Sequence, residues 1–65
     1  MVNVTLYDKA LNELSGGGYV TDTVTSRTWA KKLIKETANA HCCKLEVLKD
    51  GIGSRILAES YVFGR

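Results

Sequence analysis

One stretch, Ser26 to His41 (SRTWAKKLIKETANAH), carries a helical hydrophobic period long enough to roof a sheet, and it limits the fold to one helix laid across strands. At ~100° per residue, Trp29, Ala30, Leu33, Ile34, Thr37, Ala40 and His41 share one arc, with Ala38 at its margin. The opposite arc holds Arg27, Thr28, Lys31, Lys32, Lys35, Glu36 and Asn39. Arg27, Lys31 and Lys35 recur at every fourth position, so their Cβ atoms stand about 5–6 Å apart in a row. Thr25 or Ser26 is expected to cap the N-terminus with its hydroxyl. Cations at Arg27 and Lys31 oppose the helix dipole, so helix stability does not account for the row. Its plain reading is a solvated basic face.

The flanking segments change period. Val2-Asn3-Val4-Thr5-Leu6-Tyr7 alternates with period two and reads as a first strand with Val2, Val4 and Leu6 on one face. Asp8 to Leu14 reads as a turn or loop, the alternatives being a capped helical turn and a strand running on into a long hairpin. Ser15-Gly16-Gly17-Gly18 reads as a flexible connection, because glycine loses much backbone entropy in a regular element. The glycines precede no helix and no GK[ST] or GxGxxG, so a phosphate cradle is disfavoured. Tyr19 to Val24 reads as a second strand. After the helix, a third strand places Cys43, Leu45 and Val47 on one face and Lys44, Glu46 and Leu48 on the other. Asp50-Gly51-Ile52-Gly53 is a hairpin turn signal, and Arg55 to Phe63 returns as a fourth strand with Ile56, Ala58, Ser60 and Val62 inward. The order is ββαββ: a single-domain α+β two-layer sandwich, residues 1–65, with a four-stranded, mainly antiparallel sheet and the helix on one face.

That architecture leaves a sheet face uncovered. Burying Val4, Leu6, Val20, Val24, Leu45, Val47, Ile56 and Val62 under the helix puts Tyr7, Tyr19, Leu48, Leu57, Tyr61 and Phe63 outside. A contiguous apolar patch of that kind marks a contact surface, and tyrosine is a frequent interface anchor. Two plainer explanations are a bulge that turns Tyr61 and Phe63 inward and a homodimer formed through this face.

Catalytic and metal chemistry find little support. The chain has 65 residues, room for one small core. His41, Cys42 and Cys43 are adjacent and lack a further His or Cys to complete a zinc site. Cys43 is expected in the core, Cys42 at a surface or edge, and His41 in the last helical turn. No paired carboxylates or Ser/His/Asp set suggests an active site, and no cofactor, metal or catalytic residue is assigned. Adjacent cysteines form no disulfide framework, and neither a signal peptide nor a run of about 20 apolar residues is visible. A cytoplasmic protein with no membrane partner is expected. The net charge is +2, but Arg27, Lys31, Lys32, Lys35, Lys44 and Lys49 against Glu36 and Glu46 make the helix side positive.

In layout, Tyr19 to Tyr61 resembles small phage-encoded inhibitors, including some anti-CRISPR proteins: a threonine-rich strand, a Ser/Thr-capped helix (TSRTWAKKLIKETA) and a hairpin (KLEVLKDGIGSRILAES). The resemblance implies a non-enzymatic protein that binds a larger host protein or nucleoprotein complex and blocks nucleic-acid access. Arg27, Lys31, Lys32 and Lys35 would then reach an acidic or phosphate-lined site, with Tyr7, Tyr19, Leu57, Tyr61 and Phe63 as a second contact set. The competing expectation is a nucleic-acid-binding protein that uses the basic helix or stacks bases on the aromatic sheet.

Overall fold

Residues 1–49 and 55–64 are described in the computed structural model. They form β1 (Val2–Tyr7), β2 (Glu13–Val20), α1 (Thr23–Glu36), β3 (Cys42–Leu48) and β4 (Ile56–Phe63). The strands make one sheet in the order β2-β1-β3-β4, and every neighbouring pair is antiparallel. This is the expected ββαββ sandwich. The expected turn Asp50–Gly53 lies outside the described residues.

Alternation in β1 and β3 decides the core. Val2, Val4 and Leu6 pair with Val47, Leu45 and Cys43, and the helix lays Ala30 and Ile34 on them. Val62 of β4 and Ala40 complete the buried set; Leu14, Val20, Trp29, Leu33 and Val47 pack around it, partly covered. Each fully buried aliphatic side chain contributes about 1.5–3 kcal/mol relative to exposure, so a core this small leaves little surplus. Ser26 is also fully buried, and its hydroxyl donates to the Thr23 carbonyl at 2.8 Å, which removes the cost of an unpaired polar group.

The second strand and the helix both begin earlier than the sequence pattern suggests. β2 spans Glu13–Val20 and takes in the glycines, and Val20 is its last residue paired with β1, opposite Val2 at the start of that strand. The chain then turns. Asp22, rather than Thr25 or Ser26, is the N-cap: its carboxylate accepts the Thr25 amide at 2.7 Å and the Thr25 hydroxyl at 2.9 Å. Those bonds hold the Asp22 carboxyl below the ordinary aspartate range, the Thr25 amide contributing most. Val24, expected in the core of a strand, stands exposed in the first helical turn.

The helix also ends earlier, at Glu36. Thr37 is extended (φ −101°, ψ 123°) while its N–H still donates to the Leu33 carbonyl, and Asn39 adopts a left-handed φ of 68°, which a short polar side chain tolerates. His41 therefore sits outside the helix, its N–H donating to the Tyr7 carbonyl at 2.8 Å. It is not the last-turn residue that the helical period suggests.

The glycine run is a strand interruption rather than a free loop. Val4 pairs with Gly18 and Leu6 with Leu14, so Ser15, Gly16 and Gly17 lie opposite the single residue Thr5. Gly16 takes φ 112°, and a Cβ on Gly17 would collide with the Val4 carbonyl. Both positions need glycine for these local reasons.

Candidate functional site

The face of the sheet away from α1 is built in rows by the strand register. The central row is polar: Asn3 lies opposite both Tyr19 and Glu46, and Glu46 opposite Glu59. Asn3 Nδ2 donates to Glu46 Oε1 at 3.2 Å. Lys44 Nζ reaches Glu59 at 3.4 Å and Glu46 at 3.7 Å. The hydrogen bond to Glu59, then the Glu46 charge, holds the lysine above its ordinary pKa.

The aromatic residues lie beyond this polar centre. In the terminal row Tyr7, Cys42 and Phe63 are neighbours across three strands, and Tyr61 follows in the next row opposite Lys44. Tyr61 and Phe63 stack with centroids 6.3 Å apart and planes 27° apart, and His41 meets Phe63 edge-on at 5.8 Å. Leu11 closes the group, and Tyr7, Leu11, Cys42, Tyr61 and Phe63 line a shallow concavity of about 390 Å³.

Leu11 is the member that the sequence pattern did not reveal. The Asp8 carboxylate accepts the amides of Ala10 and Asn12, both at 2.9 Å, and the Leu11 amide donates to the Asp8 carbonyl. This turn puts Leu11 at φ 63° with its side chain exposed. The available signal was an aspartate followed two and four residues later by donors it could bond, with a leucine inside the turn.

Register places Tyr7, Tyr19, Tyr61 and Phe63 on the uncovered face as expected, and leaves Tyr61 and Phe63 exposed. The expected single patch is nevertheless divided. Tyr19 stands with the polar row, and Leu57 lies at the far end of β4. There Leu48 pairs with Ile56 and Val47 with Ala58, so Leu57 is the extra residue of a bulge. The bulge also moves Ile56, expected inward, onto the outer face opposite Leu48, where it is half exposed.

Cys42, expected as a surface or edge thiol, is buried at 1% exposure beneath the aromatic cluster. Burial raises its pKa. Cys43 is buried on the opposite face, its thiol within 3.7 Å of the Ala30 carbonyl, and desolvation, with the neighbouring Cys42, pushes it up to about 11. A neutral, buried thiol is a poor nucleophile and a poor ligand. Among the described residues no three His, Cys, Asp or Glu side chains are grouped to hold a metal.

Arg27, Lys31, Lys32 and Lys35 are all exposed on α1, across the sheet from the aromatic cluster. None makes an ion pair among the described residues.

Comparison of the chain with protein-family models, curated proteins and solved structures found no match. Among the described residues, no helix is long and apolar enough to cross a membrane.

Proposed function

We propose that this chain is a non-enzymatic protein-binding module whose principal contact is the uncovered sheet face at the Tyr7, Leu11, Tyr61 and Phe63 cluster. The observation that carries the reading is the exposed, stacked pair Tyr61 and Phe63 beside a shallow concavity of about 390 Å³. Rigid aromatic rings ringed by polar groups are how interface anchors are built: they exclude water at the centre while Lys44, Glu46 and Glu59 supply orientation at the rim. The exposed row Arg27, Lys31 and Lys35, with Lys32, steers an acidic or phosphate-bearing partner, an effect on association rate more than on final affinity.

The finer reading is an inhibitor, of phage or mobile-element origin, that occupies a nucleic-acid-handling surface of a larger host complex. It is supported by the separation of an aromatic face from a basic one and by the part of the layout that remains, a helix followed by the antiparallel pair β3 and β4. Thr21, Thr23 and Thr25 lie in the turn and the helix rather than in a strand, and Asp22 is the cap. Direct nucleic-acid binding through the sheet is less favoured, because the stacking rings border two carboxylates and the one lysine there is already paired.

Affinity capture from host lysate, with and without nuclease, tests the proposal. Wild type should retain a protein partner after nuclease treatment, Tyr61→Ala with Phe63→Ala should lose it, and Lys31→Glu with Lys35→Glu should slow its capture. Tight, salt-sensitive binding to random oligonucleotides with no retained protein would replace this reading with nucleic-acid binding.

A further inference from the structure

The strand order leaves β4 as an open edge, and beyond the bulge at Leu57 its regular part, Ala58 to Phe63, lacks the devices that keep such edges apart. Ile56–Phe63 (ILAESYVF) contains no proline and no lysine, and its single charge, Glu59, is turned to Lys44 of its own sheet. Exposed apolar edges without those devices pair with another strand. The backbone direction of β4 follows from the ladder. The Leu48 N–H donates to the Met1 carbonyl, so Leu48 turns its backbone groups to β1, and by alternation Val47, Leu45 and Cys43 turn theirs to β4. Their partners Ala58, Ser60 and Val62 answer them. Glu59, Tyr61 and Phe63 therefore present N–H and C=O groups to the free side.

We propose that the occupant of this edge is a second copy of the chain, joined β4 to β4 antiparallel about a two-fold axis at Ser60. Two two-fold registers use nearly the full strand. An axis at Glu59 sets the two Glu59 carboxylates directly opposite each other, which is destabilising. An axis at Ser60 avoids this. It sets Ala58 against Val62 and Glu59 against Tyr61, each twice by symmetry, with Ser60 meeting itself once on the axis and the bulge residue Leu57 beside Phe63. In this register the outward-turned residues Glu59 and Tyr61 form the hydrogen-bonded pairs, and apolar side chains meet on both faces. The result is one eight-stranded sheet in which Phe63 of one copy borders Leu57 of the other, joining the apolar regions that a single chain keeps at opposite ends of β4. The outer face stays open, so the pairing neither requires nor blocks the docking proposed above.

Sedimentation velocity across a dilution series reads the assembly directly: a concentration-dependent dimer is expected, and a monomer at every concentration overturns the proposal. Ser60→Cys reads the register. A non-hydrogen-bonded antiparallel pair brings Cα atoms about 4.5 Å apart, within the roughly 4.4–6.8 Å range for a disulfide, so this variant should become a covalent dimer on a non-reducing gel under oxidising conditions. Ala58→Cys faces Val62 and should remain uncrosslinked; equal crosslinking of both variants overturns the register. Tyr61→Pro removes an N–H that points only to the free side. It should keep the native circular dichroism and sediment as a monomer, and a persistent dimer would place the contact elsewhere. These readouts need no external partner, so their failure is separable from failure of the docking proposal.

Discussion

The two edges of this sheet are opposites. β2 is interrupted by glycines: its ladder with β1 breaks for three residues at Ser15, Gly16 and Gly17, so only part of it is regular strand. A broken, side-chain-poor edge offers a second strand a poor template. β4 keeps an unbroken register with β3 from Ala58 to Phe63 and carries large exposed side chains at Leu57, Tyr61 and Phe63. One edge is closed by backbone geometry, while the other remains available for contact. Side chains that do nothing for the core therefore accumulate on β4, and backbone constraints on β2.

Mutation can break that contrast. Gly17→Ala on β2 should have the largest effect, because the added methyl meets a backbone carbonyl of β1 that cannot move without disturbing the sheet. Overpacking of this kind costs about 1–3 kcal/mol, a large fraction of the stability of so small a domain, and urea unfolding would register it. Phe63→Ala on β4 should cost less. The ring is 63% exposed, so the expected loss is about 1 kcal/mol, against the roughly 3–5 kcal/mol of a buried Phe→Ala. A loss of the larger size would show that the ring is covered.

Titration sharpens the same comparison. Cys43 lies opposite Val62 on β4, and its folded-state pKa is raised from 9.0 to about 11. Between those values the folded chain holds a proton that the unfolded chain has released, so stability should fall as pH rises from 9.0 towards about 11. Chemical denaturation at stepped pH would show the decline, and Cys43→Ala should lessen it, leaving the part contributed by Cys42, whose thiol burial also raises.

The smallest effect is expected at Asp22, just past β2. Its carboxyl is held below the ordinary value of 3.8, so its capping contribution is present above that value and is lost as pH falls through the lower folded-state pKa. Asp22→Ala should lower the melting temperature slightly at neutral pH, and the gap from wild type should close in acid.

What could be read along the chain depended on whether the forces were local. Alternation in Val2–Tyr7 and Cys43–Val47 announced strands and their inner faces, since both strands lie centrally with one side buried. Trp29, Ala30, Leu33 and Ile34 announced the helix and its direction. Its ends are not legible in the same way, because Thr25 and Ser26 resemble caps while Asp22 bonds the Thr25 amide, and because the helical period continues through Ala40 although the backbone has already turned at Thr37. Of the contact face, Tyr7, Tyr19, Tyr61 and Phe63 were legible from strand parity. Leu11 was not, because a turn held by the Asp8 carboxylate brings it there.

By itself the sequence determined the count and kind of elements, the single-helix roof and the residues on either side of the central strands. These follow from period and polarity, which act between near neighbours. Tertiary structure decided that the glycines belong inside β2, that Cys42 is buried under aromatic rings, and that a bulge at Leu57 turns Ile56 outward. Each of these depends on what lies across the sheet, and no pattern along one strand encodes the backbone or ring that another strand sets against it.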